Sequence, residues 1–224
     1  MTGFPSSVPP TKAASGFEFT LNGRAVRIQG VAATTTLLDW LRNQGHTGSK
    51  CGCAEGDCGA CTVALVDRDA AGEPTYRAIN SCIALLPMFA GREVVTVEGL
   101  ARVEFDKTKG SASVPNGPPT SAPSGLHPVQ ACMVEKYGSQ CGYCTPGFVV
   151  SMFEAYYRKD CQKPWQISDQ LCGNLCRCTG YRPIRDAMSQ AISERGSAGA
   201  NDAFQQRLSQ PVPPPARLDY AAAA

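Results

Sequence analysis

Apolar and polar positions alternate from Phe17 to Leu21, and an apolar-containing run returns from Ala25 to Ile28 after Asn22-Gly23. Alternation with β-branched and aromatic residues predicts two strands, and Asn-Gly provides the positive φ angles of a two-residue hairpin turn. The period changes in TTTLLDWLRNQG. Leu37, Leu38 and Leu41 make a helical face with Trp40 beside it, Thr34 to Thr36 offer N-terminal caps, and Gly45 ends the helix. CTVALVD then reads as a strand, Gly72-Glu73-Pro74 as a turn, YRAINSC as a segment leading to Cys82, and Arg92 to Val97 as a further strand. Together these predict a compact α+β unit over residues 16–101, an ordinary domain size.

The pattern is lost over residues 102–125, where Ser, Pro and Gly dominate, as expected of a linker or an exposed insertion. Helical spacing resumes at His127. HPVQACMVEKYG has Pro128 in its first turn and Gly138 at its end. In CTPGFVVSMFEAYYRK, Thr145 is placed to cap and Pro146 to open a helix, with Phe148, Val149, Met152 and Phe153 on one side. ISDQLCGNLC and YRPIRDAMSQAISER supply a third and a fourth helix. Four short helices predict a small bundle over residues 126–195. Residues 1–15 read as a flexible arm and 196–224 as a Pro-rich tail or linker. No internal repeat is evident.

Composition narrows the class. Hydrophobic residues at 43% allow a packed core, and a net charge of +2 without a basic block argues against nucleic-acid binding. The opening MTGFPSSVPPTKAASG has no apolar signal region and no twin arginine, and no apolar run approaches the roughly 18 residues of a membrane span. A cytoplasmic chain with reduced thiols is expected. Its 12 cysteines then point to metal rather than disulfides.

The thiols fall into sets. GSKCGCAEGDCGACT places Cys53, Cys58 and Cys61 four and two residues apart, and INSC adds Cys82. C-x4-C-x2-C…C is the plant-type [2Fe–2S] spacing. Choosing Cys51 instead of Cys53 would leave six intervening residues, so Cys53 is the expected ligand. Gly52, Gly56 and Gly59 would let the backbone curl around a cluster and aim its N–H groups at the sulfurs. A second set, Cys141-x2-Cys144 and Cys176-x-Cys178, stands at the entrances of two helices, whose free N–H groups favour an anionic centre. Gly142, Gly147, Gly173 and Gly180 would allow close backbone approach there. Of the remaining thiols, Cys132 falls in an apolar helical pattern and is expected to be buried and inert, Cys161 to be exposed, and Cys51 and Cys172 to lie beside the ligands without joining them.

These four motifs, GSKCGCAEGDCGACT, INSC, GSQCGYCTPG and GNLCRCTGYRP, resemble those of the iron–sulfur subunit or domain of the molybdenum hydroxylases, which include xanthine dehydrogenase, aldehyde oxidoreductases and carbon monoxide dehydrogenase. The likeness covers roughly residues 16–195. LHPVQ with GSQCGYCTPGFVVSM is most like the xanthine dehydrogenase branch. The resemblance implies an N-terminal ferredoxin-like (β-grasp) domain and a C-terminal four-helix domain, each with one [2Fe–2S] cluster. It implies that Cys141, Cys144, Cys176 and Cys178 hold the molybdenum-side cluster, and Cys53, Cys58, Cys61 and Cys82 the FAD-side one. It further implies a molybdopterin-binding large subunit, an FAD-binding subunit or domain, and a dimer of heterotrimers. By the same resemblance Gln140 contacts the pterin on the partner, and Arg177 offsets cluster charge. Cys51, Cys172, the long 102–125 segment and the proline-rich tail depart from the family pattern.

No residue of this chain is expected to be catalytic in bond-making; purine hydroxylation on a partner chain is the first expectation, with aldehyde or N-heterocycle oxidation as alternatives. The remote rival is a four-cysteine zinc module, since CxxC pairs also build structural zinc sites, but zinc has no need of a glycine-lined C-x4-C-x2-C loop. A free-standing two-cluster carrier is disfavoured by the near-neutral charge. His46 and His127 are read as a local hydrogen bond and a helix cap, because cysteine spacing already fills both sites.

Overall fold

The computed structural model describes residues 16–101, 104–106, 111–113, 125–195 and 202–216. The expected N-terminal arm lies outside them. β1 (Phe17–Leu21) and β2 (Arg24–Ile28) pair antiparallel through Asn22-Gly23, whose φ angles of 51° and 77° are those the turn requires. α1 (Leu37–Asn43) follows. Thr36 Oγ1 caps it by accepting from Asp39 N–H, and Leu37, Leu38, Trp40 and Leu41 are buried. β3 (Thr62–Arg68) and β4 (Pro74–Asn80) form a second antiparallel pair. β5 (Glu93–Val95) inserts between β1, which it meets in parallel, and β3, giving the order β2-β1-β5-β3-β4.

A 3-10 turn at Leu86–Phe89 and a short α2 (Val97–Leu100) were not legible in the hydrophobic pattern, and the strand expected from Arg92 to Val97 is correspondingly shorter. Within the expected linker, β6 (Glu104–Asp106) and β7 (Ser111–Ser113) pair antiparallel, so this segment holds a short pair of strands.

The helical part comprises α3 (Pro128–Glu135), α4 (Thr145–Tyr157), α5 (Pro164–Leu171) and α6 (Arg182–Ser193). Two expectations are corrected. Cys144, not Thr145, is the N-cap of α4; Thr145 is already inside the helix, and its hydroxyl donates instead to Ser139 Oγ at 2.8 Å. α5 begins at Pro164 rather than Ile167 and ends before Cys172, because Gln166 reaches back to accept from the Lys163 and Gln162 N–H groups.

Successive strand residues face opposite sides of a sheet, and β3 uses both. Val63 and Leu65 join Phe19, Leu37, Leu41 and Phe89 in one core, on the α1 side. Ala64 and Val66, with Tyr76 and Val95, join Phe148, Val149, Met152 and Phe153 in another, on the α4 side. α4 is buried almost all round, including Gly147, Ser151, Ala155 and Tyr156. The sheet and the helices therefore share a core.

The tail returns onto this assembly. α7 (Ala203–Leu208) is capped by Asp202 and sets Phe204 against Phe153 (ring centroids 4.9 Å apart) and Tyr76 (6.1 Å). Arg207 pairs with Glu93 at 2.7 Å, Arg68 donates to Val212 O at 2.6 Å, and Ala216 N–H donates to Ala90 O at 2.9 Å. The described part of the expected Pro-rich tail or linker is thus docked against the sheet.

His127 ties these elements together. Its Nδ1 accepts from Val129 N–H (3.3 Å), so the neutral ring carries its proton on Nε2 and donates to Tyr157 Oη (2.9 Å), whose hydroxyl donates to Asp202 (2.9 Å). Burial holds His127 down to about 3. The unfolded chain binds a proton there near pH 6.5 and the folded chain does not, so this residue's effect on stability is absent above about pH 6.5 and grows unfavourable as pH falls towards 3. Chemical denaturation midpoints should therefore drop across that interval in the native chain. His127→Asn, which keeps a capping oxygen, should flatten the drop; an unaltered slope would mean that His127 does not carry it.

Candidate metal centres

The first thiol set is gathered by the turn between Gly48 and Thr62. α1 and the sheet anchor its ends: Arg42 donates to Ser49 O (3.0 Å), Lys50 N–H to Ala60 O (3.0 Å) and Ser81 Oγ to Cys61 O (2.7 Å). Ala54 takes a φ of 59°, and the chain then curls so that the N–H groups of Glu55 and Cys58 both point at Cys53 Sγ, each at 3.4 Å. Cys53 N–H points in turn at Cys58 Sγ at 3.4 Å. Donors aimed at sulfur favour thiolate. The N–H groups of Glu55 and then Cys58 hold Cys53 down to about 6. Cys61 and Cys82 lie deeper and pack with Leu38. Burial, followed by the neighbouring Cys61 thiol, pushes Cys82 up to about 12.

The second set is built from helix entrances. Burial and then the Cys176 thiol push Cys144 up to about 12, and Cys141 also acts on it. The Cys141 side chain raises Cys178. Burial alone would raise Cys176, but the Thr179 hydroxyl at 3.1 Å, with the Thr179 and Cys178 N–H groups, outweighs it and holds this thiol below the usual range. Tyr181 adopts a φ of 67°, unusual for a non-glycine residue. Both its ends are held: its N–H donates to Thr179 Oγ1 (3.1 Å) and its hydroxyl accepts from Cys176 N–H (2.9 Å).

All eight expected thiols are thus drawn into two groups. Within each group they associate mainly as pairs: Cys53 with Cys58 and Cys61 with Cys82, then Cys144 with Cys176 and Cys141 with Cys178. Among the described residues no three His, Cys, Asp or Glu side chains converge as the ligands of one metal ion would. Two pairs per group suit a binuclear centre, in which each iron takes two thiolates. The space fits too: a Cβ on Gly52 would stand 2.7 Å from Cys58 Sγ.

Cys51 and Cys172 are exposed, and the Cys51 carbonyl accepts from the hydroxyl of Tyr143, which stands between Cys141 and Cys144. Cys132 is buried as expected. Cys161 is a correction: it is 1% exposed, because Arg195 folds over this corner and donates to Cys161 O (3.0 Å) and Ala155 O (2.8 Å). Gln140 and Arg177 are exposed beside Cys141 and between Cys176 and Cys178, respectively.

The two groups abut. Leu175 N–H donates to Cys58 O at 3.0 Å, and Asn174, 3% exposed, donates from Nδ2 to Gly59 O at 3.0 Å while its Oδ1 accepts from Ser151 Oγ at 2.6 Å. Sequence reasoning missed Asn174, Leu175, Ser151 and Tyr143. Asn174 sits inside the GNLCRC motif, so the signal was present, but nothing local shows which distant carbonyl it meets.

Comparison with known proteins follows the same division. The family described as "2Fe-2S iron-sulfur cluster binding domain" matches residues 19–86, and "[2Fe-2S] binding domain" matches residues 117–189. Xanthine dehydrogenase 1 of Arabidopsis thaliana is 42% identical over 77% of this chain and 12% of its own length. Aldehyde oxidase 2 of Cavia porcellus is 37% identical over 86% and 13%. The chain thus spans about an eighth of these relatives. The structure of quinoline 2-oxidoreductase from Pseudomonas putida 86 is similar with a TM-score of 0.63 and 29% identity, covering 83% of this chain and 98% of the matched one. The aldehyde oxidoreductase from Desulfovibrio desulfuricans gives 0.64 and 30%, covering 84% and 18%.

Gly59→Ala tests how tightly the groups abut. With φ at +67° and a Cβ 2.3 Å from Asn174 Nδ2 and 2.4 Å from Gly173 O, the alanine should cost more than about 1 kcal/mol in denaturant unfolding. A loss within a few tenths would show that the contact opens freely.

Proposed function

We propose, for a chain that belongs to the iron–sulfur portion of the molybdenum hydroxylase family, that it serves as the electron-transfer module of such an oxidoreductase. Its architecture supports a ferredoxin-like (β-grasp) [2Fe–2S] domain over residues 16–101 and a four-helix [2Fe–2S] domain over 126–195. Cys53, Cys58, Cys61 and Cys82 would hold one cluster, and Cys141, Cys144, Cys176 and Cys178 the other. When bound, the two clusters supply one-electron redox chemistry.

The chain's own residues do the rest. N–H groups of Glu55 and Cys58 face sulfur and would offset thiolate charge, and glycines clear the space. The observation that carries the reading is the pairing of thiols in two groups joined by the Leu175–Cys58 hydrogen bond, which supports a relay of two sites in series. Exposed Gln140, next to Cys141, is suited to meet the pterin of a molybdopterin-binding large subunit. The other group would face FAD on a further subunit or domain, within a dimer of heterotrimers. Identities of 40–46% to several plant and fungal xanthine dehydrogenases support purine hydroxylation on the partner chain. Aldehyde or N-heterocycle oxidation fits the other relatives. Among the described residues no helix is long and apolar enough to cross a membrane, and a cytoplasmic setting is part of this reading.

EPR of the dithionite-reduced chain should give two distinct [2Fe–2S] signals, with about four irons for two binuclear centres. A colourless, zinc-loaded chain would discard the relay for a structural module. Within the first group, Cys53→Ser should abolish one signal and Cys51→Ser neither. Equal iron loss in both variants would overturn the ligand assignment.

A further inference from the structure

We propose that Asn174 is a positioning residue for electron transfer between the two centres, and that the hydrogen bond it stabilises, Leu175 N–H to Cys58 C=O, is the electronic bridge between them. The inference rests on the relay reading above and adds the route. Cys58 belongs to one thiol group and Leu175 immediately precedes Cys176 of the other. From Cys58 Sγ the path runs through Cβ, Cα and the carbonyl, crosses to the Leu175 amide, and continues along the main chain to Cys176 Sγ. Its one non-covalent gap is 3.0 Å. With clusters bound at Cys176 and Cys58, this route would carry one electron from the first to the second, and no bond would be made or broken.

The surroundings hold this gap closed. Asn174 Nδ2 donates to Gly59 O (3.0 Å) and lies 3.4 Å from Thr62 Oγ1, while Ser151 Oγ, on α4, donates to Asn174 Oδ1 (2.6 Å). Gly59 O also accepts from Thr62 Oγ1 at 2.6 Å and Thr62 N–H at 3.1 Å. The amide thus fastens the residue after Cys58 to the residue before Leu175 in a buried setting, where each hydrogen bond is strengthened and each loss is felt. Gly147 permits the approach: a Cβ there would stand 2.1 Å from Gly59 O. Asn174 touches no thiol in the hydrogen bonds it makes, so its effect is on geometry.

The test uses the full chain carrying both centres. A one-electron radical pulse under anaerobic conditions is followed by freeze-quench EPR, which reads how fast the electron redistributes between the two signals. Iron content and both midpoint potentials are measured on the same samples. Asn174→Asp keeps the shape and still accepts from Ser151 but cannot donate to Gly59; Gly147→Ala keeps every hydrogen-bonding group and wedges the loops apart. Both should slow redistribution several-fold while each centre keeps its iron and its potential. Native rates in both variants would overturn the inference and leave the relay standing.

Should a variant lose a centre, hydrogen exchange at the Leu175 amide decides. Faster exchange than in the native chain supports the clamp, and unchanged protection overturns it. A native chain without two [2Fe–2S] signals would remove the relay reading itself, and this inference with it.

Discussion

A strand buried on both faces leaves little freedom in where its neighbours lie. β3 carries Val63 and Leu65 into the core under α1 and Ala64 and Val66 into the core under α4. A slip of one residue in its pairing would exchange the two sets, placing small Ala64 where Leu65 now packs. Register is therefore held from both sides. Because β3 begins at Thr62, directly after Cys61, that register also sets where the first cysteine loop ends and which way it turns. The same contact holds α4, whose N-cap is Cys144, against the sheet. One packed strand thus locates a thiol from each group.

The polar contacts near the sites work within that frame. Buried hydrogen-bonding groups left without partners cost about 1–3 kcal/mol each, and Asn174, Ser151 and Thr62 satisfy one another and Gly59 O in a small closed network. Such a network selects one arrangement of the two loops over others that hydrophobic contact alone would allow. Glycine at 59 and 147 is needed because backbone meets backbone there, with no room for a methyl group. On the same face of the sheet as α4, α7 and the following strap close over Tyr76, Glu93 and Ala90 through side-chain and main-chain bonds. This second seam lies at residues distant in sequence from either cysteine loop, and it makes the union of sheet and helices more than a single contact.

Several elements were legible because their signals are local. The Phe17–Ile28 hairpin follows from alternation and Asn-Gly, and α1 from its leucines and the Thr36 cap. Misreadings share a cause. Thr145 has the composition of a cap, yet Cys144 takes that place, since the chain must turn at the thiol to bring it towards Cys176. Cys161 follows two charged residues and so reads as exposed, but Arg195, brought from the end of α6, covers it. The tail is polar and proline-rich, and its docking depends on Arg68, Glu93 and Ala90, none of which is near it in the chain.

By itself the sequence determined the α+β class, the first hairpin, α1 and the four longer helices, and the spacing of two sets of four cysteines, because periodicity and ligand spacing are short-range properties. Tertiary structure decided how the two groups face one another. That relation depends on α4 crossing the second face of the sheet and on Asn174 meeting Gly59, a residue 115 positions away. Contacts of such separation arise only when the whole core closes, so no local pattern carries them.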